Sequence, residues 1–262
     1  LMRSAVRPVA LASVLAVLTG CGSTAPPHTV AVFAASSLRQ TFTDLSGAFT
    51  GASTATAVEL TFAGSADLLT QLTQGSRGDV FASADTATMD KAARAGLLDS
   101  PPIAFATNAL TIVVAHGNPK GIKGLRDLAG VSLVLCAPQV PCGAALPRIA
   151  QKTGVRLNPV SEEPAVTDVL NKVTSGQADA GVVYVTDARS AGDAVSSVAF
   201  PEAAGSVNTY QIAVLKDPAD AALARRFVDL VTGPAGQQVL RAAGFGPPCA
   251  TRTVTVPSVM AL

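Results

Sequence analysis

Tryptophan is absent from this 262-residue chain, and there are only two tyrosines and two histidines. With so few aromatic side chains, stacking platforms for nucleic-acid bases have little to build on. The formal net charge is +1, so no basic excess exists to neutralise a phosphate backbone. No G-x-x-x-x-G-K-[ST] loop occurs and no G-x-G-x-x-G follows a strand pattern, which leaves nucleotide binding unsupported. His28 falls in a polar stretch near the start, so His116 is the only histidine in the body of the chain. That is too few for a histidine-based metal centre. It also leaves a serine nucleophile without an obvious base, and no G-x-S-x-G elbow surrounds any serine. Charged residues make up 14% of the chain and hydrophobic ones 48%, which excludes disorder over its whole length.

What is present begins with a targeting pattern. Arg3 and Arg7 precede an apolar run at residues 9–18, far short of the ~20 residues that span a bilayer. The run ends in L-T-G-C at residues 18–21, which resembles the lipobox of bacterial lipoproteins. That resemblance makes residues 1–20 a lipoprotein signal peptide and Cys21 the lipidated N-terminus, followed by a tether at 21–29. The expected location is outside the cytoplasmic membrane, held to its outer face by the lipid. Export puts the other cysteines in an oxidising compartment. Cys136 and Cys142 sit in L-C-A-P-Q-V-P-C-G, and a local disulfide between them is the first expectation. It would contribute about 2 kcal/mol and stiffen the loop. Cys249 follows Pro247-Pro248 and is either free or an alternative partner for one of them.

Residues 30–246 alternate strand and helix patterns. Apolar or alternating runs at 29–33, 58–62, 79–82, 110–115, 131–136, 180–184 and 210–215 read as strands. Helical periodicity follows at 38–49, 68–72, 86–95, 143–153, 166–173, 219–231 and 235–243. This order predicts an α/β fold with mainly parallel sheets, whose ligands sit beyond the carboxyl ends of the strands. Residues 247–262 read as an irregular tail.

Two of the strand-to-helix junctions carry a serine among small residues: Ser37 in V-F-A-A-S-S-L and Ser65 in T-F-A-G-S-A-D-L-L. One reading is a helix cap, since Gln40 stands three residues after Ser37. The other is a binding turn, in which a hydroxyl and the free N–H groups of the helix face a small oxyanion. Cys142 and Val166 open two further helices and offer only backbone N–H groups; Tyr184 closes the strand G-V-V-Y and offers a phenol. Each helix N-terminus carries roughly +0.5 charge, so four together would present about +2, matching a dianion without Lys or Arg. Arg39 and Arg77 lie near these segments and are placed outside the contact shell.

The segments V-F-A-A-S-S-L, F-A-G-S-A-D-L-L-T-Q-L, G-D-V-F-A-S-A-D, A-D-A-G-V-V-Y-V-T-D-A and G-P-A-G-Q-Q-V-L-R-A-A-G-F, in this order, resemble the periplasmic molybdate-binding proteins of ABC importers. The resemblance covers residues 30–245. It implies a two-lobed periplasmic-binding-protein-like fold of type II, with each lobe a mainly parallel sheet flanked by helices and the ligand in the interlobe cleft. Lobe one would be residues 30–106 plus 208–246, and lobe two residues 107–207. The chain would cross between them near 105–110 and 204–210, at a hinge that closes on the ligand. The family's oxyanion contacts fall on the hydroxyls of Ser37, Ser65 and Tyr184 and on the backbone N–H groups of Cys142 and Val166. A cysteine at 142, where the family pattern has alanine, leaves a backbone contact intact. The implied protein is not an enzyme, needs no cofactor and uses no side chain as a direct metal ligand. It is a monomer that binds molybdate or tungstate and serves an ABC permease with its ATPase. The competing readings are a receptor for another tetrahedral oxyanion such as sulfate, a cell-envelope serine hydrolase, and a structural envelope lipoprotein.

Overall fold

The computed structural model describes residues 28–51 and 56–248. The expected signal peptide, Cys21, most of the expected tether, Cys249 and nearly all of the expected tail lie outside the described residues. In chain order the elements are β1 (His28–Ala35), a single 3-10 turn (Ser36–Leu38), α1 (Arg39–Gly51), β2 (Thr56–Ala63), α2 (Ser65–Thr73), β3 (Val80–Ser83), α3 (Thr86–Arg94) and β4 (Ile103–Asn108). They continue with β5 (Leu110–Ala115), β6 (Leu133–Cys136), α4 (Pro141–Ala144), α5 (Leu146–Thr153), β7 (Ser161–Glu163), α6 (Val166–Thr174), β8 (Ala180–Tyr184) and α7 (Val185–Ala191). The last are β9 (Val195–Val198), β10 (Asn208–Val214), α8 (Ala221–Thr232) and α9 (Pro234–Ala243).

The strands form two five-stranded sheets, ordered β2-β1-β3-β10-β4 and β7-β6-β8-β5-β9. Each is mixed rather than mainly parallel. β1 pairs parallel with β2 and β3, and β6 with β7 and β8, as strand–helix alternation predicts. β10 and β5 pair antiparallel with all their neighbours. The reason is where the chain changes sheet. It leaves the first sheet at Asn108 and starts β5 at Leu110, opposite Tyr184 at the end of β8. It returns into β10 at Asn208. The parallel strands point their carboxyl ends at this junction, so a strand that begins there must run the other way.

Several expected elements differ locally. The helix expected at 143–153 is two helices, α4 and α5, because Pro147 has no N–H with which to continue the ladder. Strands β4, β7 and β9 and helix α7 were not legible as periodic runs. β7 is three residues, S-E-E, held as an edge strand by parallel pairing to β6. Both sheets use one device to enter a central strand. Asp79, before β3, accepts hydrogen bonds from the N–H groups of Ala31 (2.7 Å) and Ala219 (2.7 Å). Asp179, before β8, accepts one from Ser132 N–H (2.9 Å).

The apolar face of α1 packs Phe42, Leu45 and Phe49 into the first sheet, all buried. Phe42 lies between Phe105 and Phe227, with ring centroids 6.1 and 5.9 Å away. Such a fully enclosed ring contributes through area removed from water and through contacts that no neighbour can replace. Phe42→Ala is therefore expected to destabilise the protein by about 3–5 kcal/mol. Urea unfolding should show a lower midpoint with an unchanged slope; a loss under about 1 kcal/mol would mean that the core refills the space.

Candidate functional site

The two sheets face each other through their loops, and a small cavity lies between them. Its lining comes from Ala35–Ser37, Gly64–Ser65 and Ala84 on the first sheet's side, and from Val140–Cys142, Pro164–Val166 and Tyr184 on the second's. The cavity is small: the volume open to the centre of a water-sized sphere is about 10 Å³. None of the lining side chains is charged. Ser37, Ser65, Cys142, Val166 and Tyr184, chosen from sequence, thus all meet at one place.

Neither serine caps its helix. Ser37 sits inside the 3-10 turn, whose cap residue is Ala35, and its Oγ is 2.8 Å from Tyr210 Oη. Ser65 is the first residue of α2, after Gly64, and its Oγ accepts a hydrogen bond from the Ala84 N–H at 3.0 Å. That bond uses a lone pair of the oxygen and leaves the Ser65 hydroxyl hydrogen to donate elsewhere. α4 starts with Pro141, so Cys142 supplies the first N–H of its opening turn; α6 starts at Val166. Helix-opening N–H groups have no intrahelical acceptor. The Cys136–Cys142 disulfide is formed and ties the first turn of α4 to the end of β6. Cys249 is thereby excluded as a partner for either.

Tyr184 is buried at the carboxyl end of β8. Its Oη lies 2.7 Å from Asn208 Nδ2, which donates to it. Tyr210 packs edge-on against it, with centroids 5.9 Å apart. Burial, with Tyr210 and Asp187 nearby, raises Tyr184 well above an ordinary phenol; burial and then Asp187 raise Tyr210 likewise. Both are fixed as neutral hydroxyls. Gly64 matters for a different reason. A Cβ there would collide with the Pro164 carbonyl oxygen, so the two sides of the cleft meet backbone to backbone.

Neutral donors from two sides, enclosing a small volume, suit a small anion. The sequence matches the profile of the bacterial extracellular solute-binding proteins over residues 30–246. The chain belongs to this family. This solute-binding protein is 52% identical over 249 residues to the molybdate-binding protein ModA of Mycobacterium tuberculosis, covering 90% of this chain and 95% of that one. Among solved structures it is similar to the periplasmic molybdate-binding protein of Azotobacter vinelandii. There the TM-score is 0.73 at 23% identity, covering 84% of this chain and all of that one. The sulfate-binding protein SubI of M. tuberculosis gives a TM-score of 0.69 at 20% identity, covering 84% and 87%. At these identities the two structures establish the two-lobed fold alone. The family is one of extracytoplasmic solute binders, not enzymes. Among the described residues, no helix is long and apolar enough to cross a membrane.

Sequence reasoning missed Asn208, Asn108, Tyr210, Gly64 and Asp187. Asp187 is buried one turn into α7, and its Oδ2 accepts the Tyr184 N–H at 3.0 Å. Burial pushes its carboxyl up to about 7 from 3.8, against the lowering effect of that hydrogen bond. A carboxyl raised on folding costs stability once pH exceeds its unfolded value, and the cost grows until pH passes the folded value. Asp187→Asn keeps an acceptor for the Tyr184 N–H without the charge. It is expected to stabilise the solute-binding protein at pH 8, on the order of a few kcal/mol, with no gain below about pH 4. Thermal unfolding at both pH values checks this; an equal effect at both would refute it.

Proposed function

We propose that this solute-binding protein captures molybdate, and tungstate as a near-isosteric ligand, in the cavity between its lobes and delivers it to an ABC permease. The observation that carries this reading is the small cavity lined by uncharged residues from both sheets, in a chain 52% identical to a molybdate-binding protein. In the proposed complex Ser37, Ser65 and Tyr184 donate through their hydroxyls, and Cys142 and Val166 through their N–H groups. A fully ionised oxyanion accepts from all five. Sulfate, being smaller, cannot reach every donor at once. Selection rests on size and donor geometry, because no mobile cation is there to adapt.

Residues 30–106 and 208–246 form lobe one in this reading, residues 107–207 form lobe two, and the two crossovers act as the hinge. Closure buries the anion and presents the permease with a distinct shape. Cys21 is the proposed lipid attachment point, holding a monomeric receptor at the outer face of the cytoplasmic membrane.

Titration calorimetry with molybdate, tungstate, sulfate and phosphate tests the ligand. Tight binding of the first two and weak binding of the others is expected; sulfate heat without molybdate heat would overturn the assignment. Tyr184→Phe and Ser65→Ala each remove one hydrogen bond to a charged ligand and should weaken molybdate binding roughly 10- to 100-fold. Gly64→Ala should prop the cleft open. It should lower molybdate affinity at least about tenfold while leaving ligand-free thermal stability near that of wild type. An unchanged dissociation constant would remove closure from the account.

A further inference from the structure

Asn208 is the first residue of β10, the strand on which the chain re-enters the first sheet. Its side chain is buried, with 8% of the residue exposed. Nδ2 faces three acceptors: Ala84 O at 3.1 Å, Pro141 O at 3.2 Å and Tyr184 Oη at 2.7 Å. Each acceptor is next to a proposed ligand contact or is one. The Ala84 N–H holds Ser65 Oγ, Pro141 precedes Cys142, and Tyr184 supplies the phenol.

We infer that Asn208 is a positioning residue for oxyanion binding, which sets the direction of the Tyr184 hydroxyl proton and does so only when the cleft is shut. The inference deepens the oxyanion reading and rests on it. Backbone carbonyls can only accept, so Ala84 O and Pro141 O require the amide nitrogen, not Oδ1, on their side. The phenol oxygen lies 2.7 Å away on that same side and must accept too, because an amide nitrogen cannot; the two N–H hydrogens are shared among the three acceptors. Tyr184 has one hydrogen, which the amide leaves free for the cavity or for the adjacent Tyr210 phenol. Reversing the amide would set its oxygen against two carbonyls and draw the phenol proton away from the ligand. Ala84 follows β3 of the first sheet, whereas Pro141 and Tyr184 belong to the second sheet's side. The three acceptors therefore gather around one nitrogen only in the closed arrangement.

The register partner of Asn208 in β4 is Asn108, at the other crossover. Its Nδ2 donates to Thr186 Oγ1 at 2.7 Å and lies 3.5 Å from Tyr210 Oη, which in turn meets Ser37 Oγ. Both crossovers thus place an amide behind a phenol that leads to the cavity.

A double-mutant cycle with Tyr184→Phe, read by molybdate calorimetry, tests the inference. Asn208→Leu is expected to weaken molybdate binding at least tenfold in the wild-type background. In the Tyr184→Phe background its penalty should be at least fivefold smaller, because no phenol proton is left to orient. Equal penalties in both backgrounds would make Asn208 a merely structural contact and overturn the inference. If thermal melting shows that Asn208→Leu does not fold, Asn208→Ser is carried through the same cycle under the same criterion. Absence of molybdate heat in the wild type would sink the oxyanion reading itself; wild-type binding with an additive cycle would sink only the role of Asn208.

Discussion

Two chain crossings between the sheets, both at the end where the parallel strands finish, govern the rest of this molecule. β4 passes into β5 across a single residue, and β9 returns into β10 at Asn208. The crossings bring the carboxyl ends of β1, β3, β6 and β8 to a common meeting place. The helices that follow those strands then turn their N-termini toward it. They also force β5 and β10 to run antiparallel in otherwise parallel sheets. The same constraint builds the cavity between the two sheets. At its rim Gly64 and the Pro164 carbonyl approach backbone to backbone, with no room for a Cβ between them.

The electrostatics are built by subtraction. No residue lining the cavity is cationic, so in the proposed complex fixed N–H and O–H groups together replace the anion's hydration shell. Nearby acids work against that field: Asp67 and Asp168 stand on the first turns of α2 and α6, and Asp187 is buried below Tyr184. Asp168 is raised, first by burial and then by Glu163. Asp187 is raised by burial. Against its own burial, Glu163, beside the cavity, is lowered instead, through its hydrogen bonds to Lys172 and Ser161. In the proposed complex discrimination comes from geometry, which a rigid donor set measures better than a flexible cation does. The Cys136–Cys142 disulfide adds to that rigidity by tying down the turn that carries the Cys142 amide.

Legibility from sequence followed the range of each interaction. The strand at the start, the face formed by Phe42, Leu45 and Phe49, and the strand ending at Tyr184 were visible because burial imposes a period on neighbouring residues. The short edge strand at Ser161–Glu163 was not, since its pairing to β6 needs no apolar period. Ser37 and Ser65 stood out by position after a strand, yet sequence could not separate cap from binding turn. Their partners, Tyr210 and Ala84, lie 173 and 19 residues away, and those partners exclude capping.

By itself the sequence determined most of the strands and helices in their order, the two serine turns and the cysteine-bearing loop. These depend on steric and hydrophobic preferences within a few residues. Only the tertiary structure decided which hydroxyls face one cavity, that Gly64 must lack a side chain, and that Asn208 reaches Ala84, Pro141 and Tyr184 at separations of 124, 67 and 24 residues. No local pattern encodes the direction of a phenol proton. It is set by which acceptors the folded backbone brings to the same amide nitrogen, and that is known only once the two sheets have met.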